Sequence, residues 1–240
     1  MTEQSTDTLI RIPKSPQEIG STTLLGVCAS LKPAPGYPSR SAARSLLSQA
    51  LDTVATIYPD TYLLDLRDYP PPFFDGRMPE QYDDASLQFV RECIERAGAL
   101  LLSVPAYWSS VSGVFKNFID VSCGPVYDMT HSFNTIFTNK FVGLVVVGAD
   151  EASARAGVDQ ACQIMLSTGA KVVGTPVMVA NPRTLGPEVI GGILQEVIAT
   201  GADLARHILQ AKQAGYNYAG KGDDQNLSQL ANEVHDGDQD

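Results

Sequence analysis

The 240-residue sequence predicts an α/β domain built on a doubly wound, five-stranded parallel sheet of strand order 2-1-3-4-5. Three observations predict it. Apolar runs of strand length alternate with stretches whose apolar residues recur at helical spacing. The apolar runs are continuous rather than alternating, which marks strands buried on both faces of a parallel sheet. Five such runs suit the shorter of the two common doubly wound orders.

Residues 1–21 are polar, with Pro13 and Pro16 breaking any helix, and read as a flexible arm. Thr22 to Ser30 is the first strand. Ser41 to Ile57 places Ala42, Leu46, Leu47, Ala50, Leu51 and Val54 on one helical face. Thr61 to Leu66 is the second strand, followed by a proline-rich loop (DYPPPFFDGRMPE) that can be neither helix nor central strand. A helix over Ala85 to Ala97 leads to the third strand, Ala99 to Val104, and Gly113 to Val121 begins a helix. Lys140 to Val147 is the fourth strand, rich in β-branched residues. The helix Ala152 to Thr168 leads to the fifth, Lys171 to Ala180. Pro187 to Gln213 is a long helix with proline well placed in its first turn. The folded domain is therefore expected over residues 22–213. Residues 214–240 read as a disordered tail, with six acids against the single base Lys221.

The formal net charge is −10, of which the tail carries half. An acidic body excludes nucleic acid as the main partner, because phosphate backbones need a basic surface. It does not exclude one small anion in a local pocket. The four cysteines form no CxxC pair, so a zinc site is not expected. The N-terminus has no long apolar run, which predicts a cytoplasmic protein without membrane partners.

In a doubly wound sheet, ligands bind beyond the carboxyl ends of the strands at the switch between strands 1 and 3. The first strand ends at Ser30. The connection LKPAPGYPSRSAARSLL has neither a GxGxxG nor a GxxxxGK[ST] pattern. It does place Ser39, Arg40 and Ser41 at the start of a helix. Free amides, two hydroxyls and a guanidinium there suit a phosphomonoester. Plain helix capping by Ser39 explains the same residues about as well. The third strand runs out through Pro105 and Ala106 to Tyr107 and Trp108, an aromatic pair able to lie against a planar ring or to pack as a core corner. Gly113 would let backbone approach a ligand. Lys116 and Asp120, four apart, suit a surface ion pair.

These two loops together resemble the NAD(P)H-dependent FMN reductase family, which has a flavodoxin-like fold. The matching residues are Ser39-Arg40-Ser41, then Pro105, Tyr107, Gly113, Lys116, Asn117 and Asp120. The PSRS stretch is most similar to reductases that supply reduced FMN to two-component flavin monooxygenases. The resemblance implies FMN as cofactor and NADPH or NADH as hydride donor. It implies that Ser30, Ser39, Arg40 and Ser41 hold the FMN phosphate, while Pro105, Ala106, Tyr107 and Trp108 border the ribityl chain and ring. Gly148 and Ala149, after the fourth strand, would face the ring. Asp150 and Glu151 depart from the small residues usual there, and Val111 stands where sulfonate-type members often carry tyrosine. No catalytic side chain is expected, because the flavin carries the chemistry. Arg77, Arg155 and Arg183 are each candidates for a nicotinamide phosphate. Other implied outcomes are an FMN-retaining oxidoreductase acting on quinone or azo acceptors, and a flavodoxin-like carrier with no nicotinamide site. Family resemblance also implies a homodimer or homotetramer, and a flavin-dependent monooxygenase as a possible partner.

Overall fold

Leu24–Cys28 (β1) has no side chain reaching solvent, and its two faces diverge at once. Leu25 and Val27 join one apolar layer, while Leu24 and Cys28 join the other. A strand buried on both sides must lie inside the sheet, and β1 pairs in parallel with both Thr61–Asp65 (β2) and Ala99–Tyr107 (β3). The computed structural model describes residues 9–32, 41–125 and 135–215.

The strands that follow are Ser110–Val111 (β4), Phe141–Gly148 (β5), Lys171–Val172 (β6) and Val177–Ala180 (β7). The path through the sheet is β2-β1-β3-β5-β6, with β7 also parallel to β5 and the short β4 antiparallel to β3. This is the flavodoxin-like order 2-1-3-4-5, because β6 and β7 are two pieces of the expected fifth strand. Between them the chain turns through Gly174, whose φ is +66°, and then resumes pairing with β5.

Ala42–Ala55 (α1) and Pro187–Gln213 (α5) cover one face of the sheet. Ala85–Arg96 (α2), Gly113–Cys123 (α3) and Glu151–Ser167 (α4) cover the other. At Gly26 a Cβ would lie 2.2 Å from Leu51 Cδ1, so glycine is what lets α1 sit down on β1. That close packing fixes where α1 begins, and hence where its free amides point.

The expectation of a loose arm over residues 1–21 is corrected for its second half. Residues 1–8 lie outside the described set. From Leu9 the chain docks on the body. Ile19 is buried, Arg11 bridges to Tyr62 of β2 and Pro16–Glu18 forms a 3-10 turn. Isolated apolar residues between prolines carry no periodicity, which is why the sequence reads as an arm. The tail from residue 216 also lies outside the described residues.

The proline-rich loop is tied down by the Asn117 carboxamide of α3. Its oxygen accepts from the Phe74 amide at 2.9 Å and its nitrogen donates to the Pro72 carbonyl at 2.8 Å. Lys116 and Asp120 form the expected ion pair at 2.6 Å. Lys140 is buried and donates to the Glu95 and Ala97 carbonyls at 2.5 and 2.6 Å, closing the C-terminal end of α2. Burial pulls its pKa down to about 8.

Candidate flavin and nicotinamide site

The carboxyl ends of β1, β3, β5 and β7 open onto one cleft of about 380 Å³. A second recess of about 260 Å³ adjoins it and shares Ser30, Lys32, Pro105 and Tyr107. Such a space is within the range of pockets for nucleotide-sized ligands.

The β1 side is built from the helix start. Ser41 is the N-cap of α1 and its hydroxyl accepts from the Arg44 amide at 3.3 Å. The same hydroxyl donates to Ser30 Oγ at 2.9 Å, and both serines are buried. The capping expected of Ser39 is made by Ser41. Ser30 and Ser41 nonetheless line the cleft, at the positive end of a fourteen-residue helix. Ser39 and Arg40 lie outside the described residues.

Beneath this rim lies a network that the sequence did not reveal. The Arg44 guanidinium is bonded to the Asp65 carboxylate at the end of β2 through both Nε and Nη2. It also donates to the Ser30 carbonyl at 2.7 Å and to the Lys32 carbonyl at 2.9 Å. Both side chains are largely buried, at 14% and 8% exposure. Arg44 therefore clamps the first turn of the β1 loop to β2. Burial, with the nearby Asp65 charge adding to it, pushes the Cys28 thiol up to about 12, so this cysteine is inert at neutral pH.

The β3 side is a hairpin. Tyr107 pairs with Ser110, and the two residues between them, Trp108 and Ser109, have φ of +53° and +57°. Two consecutive left-handed residues are the signature of a type I′ turn, which normally takes Asn-Gly. The strain is held from α4. Ser153 Oγ accepts from the Ser109 amide at 3.2 Å, Gln160 accepts from the Ser110 hydroxyl at 2.9 Å and from the Val111 amide at 3.2 Å, and its amide donates to the Ser109 carbonyl at 3.2 Å. Pro105 and Tyr107 line the cleft. Ala106 is buried in the core, and Trp108 stands 96% exposed on the turn without lining the cleft. Gly113 starts α3 and also stays out of the cleft. Of the residues expected to border the ligand, Ala106, Trp108 and Gly113 thus lie outside the lining of this cleft.

Gly148 and Ala149 both line the cleft. The glycine is required from behind, since a Cβ there would lie 2.4 Å from the Ala154 backbone nitrogen of α4. The two acids that follow are occupied. Asp150 caps α4, accepting from the Ser153 amide at 2.7 Å and its hydroxyl at 3.0 Å, and these bonds hold its carboxyl below the ordinary range. Glu151 pairs with Arg155 at 3.0 Å.

The far wall comes from the turn after β7, Asn181 to Thr184, of which only Arg183 was singled out from sequence. Of the three candidate arginines, Arg77 is paired with Asp75 and lies over Tyr82, and Arg155 is paired with Glu151. Only Arg183 lines the cleft. Lys32 faces it from the β1 side, with its ammonium 5.4 Å from the Tyr107 ring centroid. No Asp or Glu is among the described residues that line the cleft. His207, by contrast, packs on Phe141 at 4.9 Å far from this edge.

The pattern of the NADPH-dependent FMN reductases matches residues 22–183. The chain belongs to that family. An NAD(P)H-dependent FAD/FMN reductase of Geobacillus thermodenitrificans (strain NG80-2) is 35% identical over 78 residues, which is 32% of this chain and 42% of that relative. The chain thus aligns with under half of that curated relative's length. Solved structures share the fold at low identity. An NADH:FMN oxidoreductase, EmoB, in its apo form, superimposes with a TM-score of 0.54 at 15% identity, covering 75% of this chain and 89% of that one. The flavoenzyme NAD(P)H:(acceptor) oxidoreductase FerB of Paracoccus denitrificans gives 0.56 at 16%, covering 77% and 98%.

FMN fits the residues present on three observations. Two buried hydroxyls and a helix N-terminus face one end of the cleft. Pro105, Gly148 and Ala149 line the same cleft with backbone and small side chains. Two cations and no described carboxylate line a cleft in a protein of net charge −10. Among the described residues no helix is long and apolar enough to cross a membrane, and no cluster of His, Cys, Asp and Glu could hold a metal.

Proposed function

We propose that this protein reduces FMN with NADPH or NADH, both bound in the cleft at the carboxyl edge of the sheet. The observation that carries the reading is the buried Ser30–Ser41 hydroxyl pair at the N-terminus of α1, opening into a cationic cleft. A phosphate there would receive α1 amides and the Ser30 and Ser41 hydroxyls, with charge supplied by Lys32 and by Arg40 of the same loop. FMN, when bound, supplies the two-electron chemistry and accepts hydride from the nicotinamide. The side chains supply placement. Pro105 and Tyr107 would bound one side of the ring, and the Gly148–Ala149 backbone the other. Tyr107 also carries the Lys32 ammonium over its face, which couples the β1 rim to the β3 rim. None of these groups has to exchange a proton for hydride transfer.

The capping of Asp150 and the pairing of Glu151 support a working nicotinamide site over a carrier without one, since neither acid is left free to repel the donor. Release of reduced FMN to a flavin-dependent monooxygenase is the fuller form of this proposal. Retention of FMN, with reduction of a quinone or azo acceptor, is its rival. One experiment separates them. The purified protein's visible spectrum is recorded, and NADPH oxidation is followed with and without added FMN. A colourless protein that oxidises NADPH only with FMN present is the expected result. A yellow protein that needs a second acceptor would make FMN a fixed group. Absence of FMN binding would overturn the proposal.

A further inference from the structure

Eight of the nine described arginines pair with a carboxylate: Arg11, Arg44, Arg67, Arg77, Arg91, Arg96, Arg155 and Arg206. Arg183 is the ninth, and it has no hydrogen bond or ion pair among the described residues. In a chain with 27 acids and 17 bases, an arginine left without a carboxylate is the exception. This one lines the cleft.

Its backbone, unlike its side chain, is fixed. Asn181 adopts φ +50°, and its amide donates to the Gly148 carbonyl at 3.2 Å, which locks the turn to the end of β5. The Asn181 carbonyl accepts from the Thr184 amide at 2.9 Å and from the Thr184 hydroxyl at 3.0 Å. Pro182 sets the remaining φ. A rigid turn thus presents one uncommitted guanidinium to the cleft.

The position of that turn decides what it meets. β7 pairs with β5, β5 with β3 and β3 with β1, so the turn after β7 is three strand spacings from the seat at Ser30 and Ser41. At about 4.8 Å per spacing the strand axes are about 14 Å apart. On the FMN reductase reading, an FMN whose phosphate sat at α1 would extend its ring toward β3 and β5, which would leave Arg183 at the opposite end of the cleft from that phosphate. A second phosphate there belongs to the other nucleotide.

Resting on the FMN reductase reading above, we infer that Arg183 binds the 2′-phosphate of NADPH and makes the protein prefer NADPH to NADH. A guanidinium fork matches a terminal phosphomonoester, which offers several oxygens and close to two charges. The bridging pyrophosphate, common to NADPH and NADH, would give no preference.

The test compares wild-type protein with Arg183→Gln and Arg183→Lys by calorimetric titration of 2′,5′-ADP and 5′-AMP, with FMN affinity measured alongside by quenching of flavin fluorescence. Wild type is expected to bind 2′,5′-ADP about 10- to 100-fold more tightly than 5′-AMP, the range of one or two charge-assisted hydrogen bonds. Arg183→Gln should erase the preference and Arg183→Lys keep part of it, with FMN affinity unchanged in both. In turnover the NADPH KM of Arg183→Gln should rise by the same factor at unchanged kcat and unchanged NADH KM. A preference that survives Arg183→Gln overturns the assignment. So does an equal loss for both nucleotides, or a loss of FMN affinity, which would give the guanidinium to the pyrophosphate or to the FMN phosphate. Wild-type protein that fails to bind FMN would overturn the underlying reading, a result visible before any substitution is made.

Discussion

The two rims of the cleft that meet at Tyr107 are held in opposite ways. The β1 rim, Ser30 to Lys32, lies on a buried charge network in which Arg44 joins Asp65 and two loop carbonyls. The β3 rim is a strained two-residue turn fastened from the side by Ser153 and Gln160 of α4. The first rim is supported from inside the fold, so losing its support costs the fold. The second is supported from its surface, so changes there stay local. Under the proposed reading a phosphate seat needs fixed donors, whereas the exposed turn could be altered without disturbing that seat.

The hardest way to break the contrast is Arg44→Ala. It leaves Asp65 with the Arg67 amide at 3.0 Å and the more distant Arg67 guanidinium at 3.8 Å, and strips the Ser30 and Lys32 carbonyls of their donor. Breaking one partner of a buried pair costs about 3–5 kcal/mol. Stability by urea titration should fall by that amount, and FMN affinity with it. The Cys28 thiol reports whether the fold holds. Folded wild type holds its pKa at about 12, above the ordinary value near 8.5, so it should not react with a thiol reagent at pH 8. Because the folded pKa is raised, this stabilising contribution is full below the ordinary value and is lost as pH rises toward about 12. Arg44→Ala removes the nearby charge that most lowers this thiol's pKa and leaves Asp65 less neutralised, so Cys28 should stay unreactive at pH 8 for as long as the fold holds. The double variant Arg44→Met, Asp65→Leu should recover most of the stability without recovering FMN affinity. Recovery of both would show that the network only holds the fold.

The β3 rim should respond the other way. Ser109→Gly relieves one left-handed residue, worth about 1–2 kcal/mol, against about 0.5–1 kcal/mol of added chain entropy. A net gain of about 0.5–1 kcal/mol in stability is expected, with FMN affinity unchanged. A loss of stability would mean that the bonds from α4 depend on the serine and not on the turn.

The sheet was legible because its signal is local. Each strand is a run of apolar residues, each helix has a 3.6-residue stripe, and five alternations leave few topologies. Ser30, Pro105, Tyr107, Gly148 and Ala149 were legible as strand exits and Ser41 as a helix start, and all six line the cleft. The Arg44–Asp65 clamp was not, because it joins residues 21 apart on a helix and a strand, and nothing in either segment names the other. The exposure of Trp108 was not legible, because an aromatic residue after a strand carries no sign that the backbone will turn left-handed there. The split of the fifth strand is marked in sequence only by Gly174, and the apolar residues on both sides conceal it. Arg183 was visible as a candidate. Its distinction from Arg77 and Arg155 came from their partners, which only packing supplies.

The smallest expected effect concerns Asp150, where sequence and structure disagree most usefully. Read along the chain, Asp150 adds negative charge beside the ring or the nicotinamide. In the fold its oxygens accept from the Ser153 amide and hydroxyl, so the carboxylate faces the first turn of α4. These bonds, the amide first, hold its pKa below the ordinary range. A depressed carboxyl stabilises the fold above the unfolded-state value, about 3.9, and that contribution fades as pH falls through the lower folded value. Asp150→Asn retains a side-chain oxygen for the Ser153 amide and removes the charge. It should leave the NADPH KM within about twofold of wild type, less than the fold-change of one charge-assisted bond, and reduce stability only slightly at neutral pH, while flattening the acid limb of the stability curve. Asp150→Ala removes the cap as well and should loosen Ser153, and through it the Ser109 amide of the β3 rim. A fall in NADPH KM well beyond twofold in Asp150→Asn would mean that the carboxylate repels the donor after all, and that the cap does not keep its field out of the cleft.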